Sequence, residues 1–342
     1  MQWAVLLAGG SGTRFWPLSS PRRPKQLLPL AGSRSPIEEA IDRLAGFIPA
    51  ERILIVTGEQ LSGPLRERVD LPAGNFLVEP RAAGTGPALV WATLEAARRD
   101  PDAAIISMHA DWSVRDATAF VATAATALEV ADRHHRLVTV GIVPSRPDTG
   151  FGYIVPGGRL DTASCAVERF VEKPDAARAL DLMAEGALWN SGLFAWRAND
   201  LRREIAAHTP EIAPYLSRLD GGDVQGFFHD VRAVSIDVGL FERSAAVAVV
   251  AGDFSWDDIG TWEALARVRS RDRRGNVVHG PVTLVDCSDC IVWNDGPPMV
   301  LSGVRDLVVV HANQRTLVLD RARAPDLKAT LDALPAEVRE LD

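Results

Sequence analysis

The chain opens on a short apolar run, Trp3 to Ala8, that breaks into Gly9, Gly10, Ser11, Gly12 and Thr13. An unbroken apolar run of that length predicts a strand buried on both faces of a parallel sheet. Similar runs recur at 52–57, 75–79, 103–108 and 137–142. Helical periodicity separates them. Leu89, Ala92 and Ala96 share a stripe in 86–99, and Asp116 stands where it can cap an alanine-rich helix reaching about His134. Ser35-Pro36-Ile37-Glu38 reads as a capping box, after which Ile37, Ile41 and Leu44 line one helix face. Strand and helix alternating over short connections predict a mostly parallel sheet with helices on both faces. Ligands of such sheets lie beyond the carboxyl ends of the strands. The glycine-rich stretch falls at one such end and Asp111 at another.

The pattern changes after Pro147. Residues 150–154 and 166–172 read as antiparallel strands, with Lys173-Pro174 as a turn. A helix from about Asp175 leads into Trp189-Asn190-Ser191-Gly192 and a strand at 193–196. Residues 198–244 read as mainly helical, and 246–251 as a further strand. Past Arg274 short β-rich runs return about every eight residues, at 276–279, 282–285, 290–293, 299–301, 307–310 and 316–319. That cadence predicts a small β-solenoid, closed by a helix at 325–334. The expected division is therefore 1–266 for the α/β domain and 275–342 for the β-rich one.

Charge sharpens the picture of the first stretch. The chain carries a net charge of -8, yet no Asp or Glu occurs before Glu38, while Arg14, Arg22, Arg23 and Lys25 do. Backbone donors on glycines, fixed cations and no carboxylates suit a polyphosphate. The spacing is neither that of a Walker A loop nor G-x-G-x-x-G, because Phe15 stands where a third glycine would be. The acidic balance argues against nucleic acid or an anionic membrane as partner. Three cysteines, with no second pair to make Cys287-x-x-Cys290 a zinc site, fit a reducing compartment. With no signal-peptide pattern and no apolar run of eighteen residues, the expected location is the cytoplasm.

GGSGTRFWPLSSPRRPKQLLPL (residues 9–30) resembles the signature loop of the sugar-nucleotide pyrophosphorylases, most of all the mannose-1-phosphate guanylyltransferase branch, whose loop reads approximately GGxGTRLWPLSR…PKQF. Further motifs follow in that family's order: Glu79-Pro80 through Pro87-Ala88, His109-Ala110-Asp111, Thr149 to Ile154, Glu172-Lys173-Pro174, Trp189 to Gly192, Ser235-Ile236-Asp237, and Trp256 to Trp262. The resemblance implies an α/β, Rossmann-like (GT-A-like) nucleotidyltransferase domain with a mixed, mostly parallel sheet, plus a small C-terminal β-helix-like domain. It implies that GTP and α-D-mannose 1-phosphate give GDP-mannose and diphosphate with Mg²⁺. Another sugar 1-phosphate or nucleotide, or a catalytically silent sugar-nucleotide-binding regulator, stands as the alternative. By the same resemblance the nucleotide is held by Ala8, Gly9, Gly10, Gly12, Thr13, Arg14, Lys25, Glu79, Gly84, Thr85 and Asp111. The sugar phosphate falls to Gly150, Glu172, Lys173, Asn190 and Asp237. Arg14, Lys25, Asp111 and Asp258 carry the chemistry, and Asp111 and Asp258 hold the metal, with Asp257 as the weaker neighbour. A homodimer is left open.

The chemistry agrees with that residue set. A sugar 1-phosphate is already an anion and needs no general base to attack an α-phosphorus. It needs alignment and charge neutralisation, hence cations and a divalent metal rather than a catalytic His or Ser. The chain departs from the family pattern at Ala83 and Gly84 (usually Arg-Asn), at Trp112 (usually His) and at His109 (usually Pro). The first departure removes side-chain hydrogen-bonding capacity near the base. Guanine is therefore expected to be preferred by a reduced margin, read in part by backbone groups of Gly84 to Gly86.

Overall fold

The apolar runs of the first 250 residues assemble into one nine-stranded sheet in a computed structural model that describes residues 1–10, 12–20 and 23–339. Its strands are β1 (Gln2–Ala8), β2 (Ile53–Gly58), β3 (Phe76–Glu79), β4 (Ala104–His109), β6 (Leu137–Ile142), β7 (Tyr153–Arg159), β8 (Ser164–Val171), β9 (Leu188–Arg197) and β10 (Val247–Gly252); the two-residue β5 (Ser113–Val114) stands outside it. The order is β3-β2-β1-β4-β9-β6-β10-β8-β7. β1 to β4 are mutually parallel, as are β6 and β10, while β9 runs antiparallel to both β4 and β6. This is the mixed, mostly parallel arrangement expected. Helices Thr85–Arg99 and Ala117–His134 pack on the sheet, the second capped by Asp116, whose carboxylate accepts from Ala119 N at 2.8 Å.

One motif sits differently from its sequence reading. Trp189 to Gly192 looks like an approach to a strand, and it lies within β9. Asn190 and Ser191 escape a hydrophobicity search because they are buried polar residues with internal partners. Ser191 Oγ donates to Val140 O at 2.7 Å, and the β6–β9 register shifts between Thr139 and Gly141.

Chain packing divides the molecule into two compact units, and neither is one continuous segment. The first comprises Met1–Gly9, Ile41–Ala110 and Val114–Trp256; the second comprises Gly10–Ala40, Asp111–Ser113 and the chain from Asp257 onward. The sequence pattern places its division at 266/275. The packing differs because Phe15, Trp16, Leu18, Leu28 and Leu30 share one buried cluster with Ile259, Trp262, Val277, Ile291 and Trp293. Burying those large side chains is worth about 1.5–3 kcal/mol each, so the glycine-rich stretch folds with the tail.

The tail of the second unit is a short solenoid. β12 (Val277–His279), β14 (Ile291–Asn294) and β16 (Leu307–Ala312) stack in parallel on one face, and β13 (Val282–Val285) and β15 (Met299–Ser302) on another. β17 (Arg315–Asp320) turns back antiparallel on β16 and ends the coil. The two-residue β11 (Trp256–Asp257) precedes it. The closing helix is shorter than 325–334, running Leu327–Asp332 after a 3-10 turn at Arg321–Asp326. No helix among the described residues is long and apolar enough to cross a membrane.

Candidate active site

In the second unit the glycine-rich stretch passes into a 3-10 turn, Thr13–Phe15, entered through Gly12 at φ 59°. Ser19 Oγ closes the stretch by donating to Gly12 O at 2.6 Å. A Cβ on residue 12 would lie 3.1 Å from both Cβ and N of Lys25, so the glycine lets the backbone lie against the lysine stem. Lys25 is 6% exposed, and a buried ammonium is tolerated only with good partners. Its Nζ donates to Asp111 Oδ2 at 2.8 Å and to the Asp258 carbonyl oxygen at 2.7 Å. One lysine thus ties together two residues some 150 positions apart. Arg14 is exposed and hydrogen-bonds to nothing among the described residues, which leaves its guanidinium available to an anion. Ser11 and Arg22 lie outside the described residues.

The structure distinguishes Asp257 from Asp258. Asp257 is neutralised by Arg267, with contacts of 2.8 and 3.1 Å, and accepts from Ile259 N at 3.0 Å. Asp258 has no such cation on its carboxylate among the described residues and accepts from Gly260 N at 3.2 Å. Burial pushes its carboxyl up to about 6; Lys25 opposes the rise, and the charges of Asp257 and Asp111 add to it. A half-buried carboxylate beside like charges is a site that a divalent cation relieves. Among the described residues no three His, Cys, Asp or Glu side chains cluster as a closed metal cage. The two carboxylates of Asp111 and Asp258 would suit Mg²⁺, which takes one or two carboxylates and completes its shell with water and phosphate oxygens. Trp112, next to Asp111, is a buried core residue.

The remaining sequence-predicted residues, Gly10 apart, lie in the first unit. Ala8 ends β1, and its carbonyl accepts from Thr57 Oγ1 at 2.8 Å. Gly9 and Gly10 have open space where a side chain would project. Glu79 ends β3 with its carboxyl hydrogen-bonded to nothing among the described residues, and burial pushes it up to about 7. The glycine at 84 serves a close approach that motif reading does not show. At φ 84°, a Cβ there would fall 2.5 Å from Val234 O. Val234 N donates to Ala83 O at 3.1 Å and Gly86 N to Val234 O at 3.0 Å. Thr85 Oγ1 accepts from Ile236 N at 2.9 Å. The Gly86 N–H expected to read a base is therefore already engaged, and Ala83 fills a core position.

Four of the five expected sugar-phosphate residues come together. Asn190 Nδ2 donates to Asp237 Oδ1 at 2.8 Å, while its Oδ1 accepts from Thr139 Oγ1 at 2.9 Å and Gly192 N at 3.2 Å. Thr139, invisible to motif reading, thereby fixes which way the Asn190 amide faces. Burial pushes the Asp237 carboxyl up to about 6, the Glu172 charge adds to the rise, and Lys173 and Asn190 moderate it. Lys173, exposed at φ 47°, pairs with the Glu172 carboxylate, and Glu172 N donates to Glu242 Oε1 at 3.0 Å. Gly150 is exposed in the preceding loop, its N–H on Asp148 Oδ1 at 2.9 Å. No sequence signal marks Glu242.

The profile of the nucleotidyl transferase family matches residues 3–275 of the chain. A Klebsiella pneumoniae protein named mannose-1-phosphate guanylyltransferase is 35% identical over 351 residues, covering 98% of this chain and 74% of that protein. The alginate biosynthesis protein AlgA of Pseudomonas aeruginosa is 32% identical over 350 residues, covering 98% of this chain and 72% of its own. A solved structure from Thermus thermophilus, described as a "mannose-1-phosphate geranyltransferase", superposes with a TM-score of 0.90 at 33% identity, covering 97% of this chain and 98% of that one.

Proposed function

The chain belongs to the nucleotidyl transferase family, and from that premise we propose that it is a mannose-1-phosphate guanylyltransferase. A phosphate oxygen of α-D-mannose 1-phosphate attacks the α-phosphorus of GTP, the bond to the β-phosphate bridge breaks, and pyrophosphate leaves with GDP-mannose formed. The observation that carries this reading is the buried Lys25 joined to Asp111 and Asp258 inside a loop of the family's signature. The name of the Klebsiella pneumoniae relative, which matches 98% of the chain, supplies the substrate pair.

Each role follows from its surroundings. Arg14 and Lys25 hold the triphosphate and balance the charge that builds on the departing pyrophosphate. Mg²⁺ on Asp111 and Asp258 would draw phosphate oxygens into line. Lys173 meets the sugar phosphate, and Asn190, oriented by Thr139, and its partner Asp237 meet sugar hydroxyls. Glu79 reads the base: guanine offers two adjacent N–H donors to a carboxylate, adenine offers no such pair, and the donors would favour the ionised form that burial opposes.

Pyrophosphate release measured over GTP, ATP, UTP and dTTP with mannose 1-phosphate tests the reading. GTP should lead ATP in kcat/KM by about ten- to a hundredfold, from one or two hydrogen bonds of ~1–3 kcal/mol. Glu79→Gln, which offers one acceptor oxygen in place of two, should shrink that lead. A leading nucleotide other than GTP, or no turnover with any sugar 1-phosphate, would overturn the assignment. Lys173→Ala should raise KM for mannose 1-phosphate about tenfold or more and leave kcat within about threefold, because it removes a charge-assisted contact to a group that does not change charge sign during reaction. A fall in kcat at unchanged KM would move Lys173 to the triphosphate side.

A further inference from the structure

We propose that Asn313, at the tip of the terminal solenoid hairpin, is a positioning residue for the nucleotide-binding loop; the inference rests on the nucleotidyltransferase reading above. Asn313 and Gln314 form the two-residue turn between β16 and β17, at φ 49° and 57°. Asparagine tolerates that left-handed backbone better than most residues. Its side chain does more than suit the turn. Asn313 Nδ2 donates to Pro17 O at 2.7 Å and to Leu18 O at 3.3 Å. Pro17 and Leu18 are buried, so these carbonyls depend on a protein donor.

From there an unbroken series of contacts reaches the chemistry. Ser19, next in the chain, donates from Oγ to Gly12 O at 2.6 Å. Gly12 lies against the stem of Lys25, and Lys25 Nζ reaches Asp111 and Asp258. Every member belongs to the second unit. The far end of the same stretch has its own anchor. Arg269 donates from Nε to Leu30 O at 2.5 Å and lies 4.6 Å over the Trp293 ring of the solenoid. The solenoid thus supports the backbone that presents Arg14 and Lys25. A phosphate cradle built on a glycine-rich stretch has little intrinsic rigidity, and a misplacement of about 1 Å can cost ~100-fold in rate.

Two substitutions remove the amide while keeping a residue that accepts positive φ. Asn313→Gly deletes the side chain, and Asn313→Asp replaces the N–H donors with an oxygen that repels the two carbonyls. Gln314→Gly is the control, since it alters the same turn without touching the loop. In the full-length enzyme both Asn313 variants should lower kcat/KM for GTP by about 10- to 100-fold, with Asp the worse. KM for mannose 1-phosphate should stay within about twofold, and Gln314→Gly should match wild type in both. GTP affinity measured calorimetrically without the second substrate should fall in parallel. Asn313 variants with wild-type kinetics, equal losses toward both substrates, or failure of both variants to fold would each assign the residue a purely structural role and overturn the proposal. An inactive wild-type enzyme with intact GTP affinity would instead count against the assigned reaction, and the calorimetric comparison would still decide the positioning role.

Discussion

Asp258→Asn should lower turnover by about 10²-fold or more without lowering the thermal midpoint, the scale seen when one electrostatic partner of a transition state is removed. The two halves of that result come from one feature. Asp258 is a half-buried carboxylate whose charge is opposed by partial burial and by Asp111 and Asp257. Asparagine keeps the acceptor used by Gly260 N, and Lys25 binds the backbone carbonyl of residue 258, which the substitution leaves in place. The fold therefore loses an unfavourable half-buried charge and little else, while the metal and phosphates would lose a ligand. Asp111→Asn should also cost about 10²-fold in turnover, but here stability should fall as well, because Lys25 loses its ion-pair partner and remains buried. Asp257→Asn should show the reverse balance, a lower midpoint from the broken pair with Arg267 and a smaller kinetic effect. Initial rates of pyrophosphate release at saturating Mg²⁺, set beside thermal unfolding of each variant, separate the three. An Asp258→Asn protein with near wild-type turnover would remove Asp258 from the chemistry.

That contrast also marks what the sequence could reveal. Periodicity located β1, β2 and β6 to within a residue or two, since a strand buried on both faces is a continuous apolar run. It could not place Asn190 and Ser191 inside β9, because buried polar residues break the run and their partners, Thr139, Asp237 and Val140, lie far away in sequence. The motif string identified Asp257 and Asp258 together; only the position of Arg267 shows which of them is paired. Gly84 was legible as an unusual glycine, but its cause, the backbone of Val234, is set by tertiary contact. The grouping of Phe15 and Trp16 with a β-solenoid begun some 260 residues later has no local signature at all. What sequence shows best is local pattern and charge sign; what it hides is which distant partner satisfies each polar group.

Lys25→Ala should lower kcat and kcat/KM for GTP together, by about 10²- to 10³-fold, as expected for a contact that strengthens when charge builds on the leaving pyrophosphate. In the structure Nζ is divided between Asp111 at 2.8 Å and the Asp258 carbonyl at 2.7 Å, so the ammonium is oriented before any phosphate arrives. A preorganised charge needs no rearrangement during reaction, and its effect is enlarged by the low polarity around a side chain only 8% exposed. Lys25→Arg should recover little. The lysine stem already lies so close to Gly12 that a Cβ on residue 12 would fall 3.1 Å from it, and a planar guanidinium presents its donors in a fork unlike a single ammonium facing two acceptors. Loss of Asp111's partner should also lower the thermal midpoint, so activity must be read well below it. The decisive measurement is chemical rescue. The cavity left by Lys25→Ala should admit a primary alkylammonium ion, and turnover should rise with its concentration and saturate, with no such response in Lys25→Arg or in Asp258→Asn. A Lys25→Ala enzyme that keeps kcat within about threefold and changes only KM for GTP would make Lys25 a ground-state binding residue, uniform in its grip on substrate and transition state.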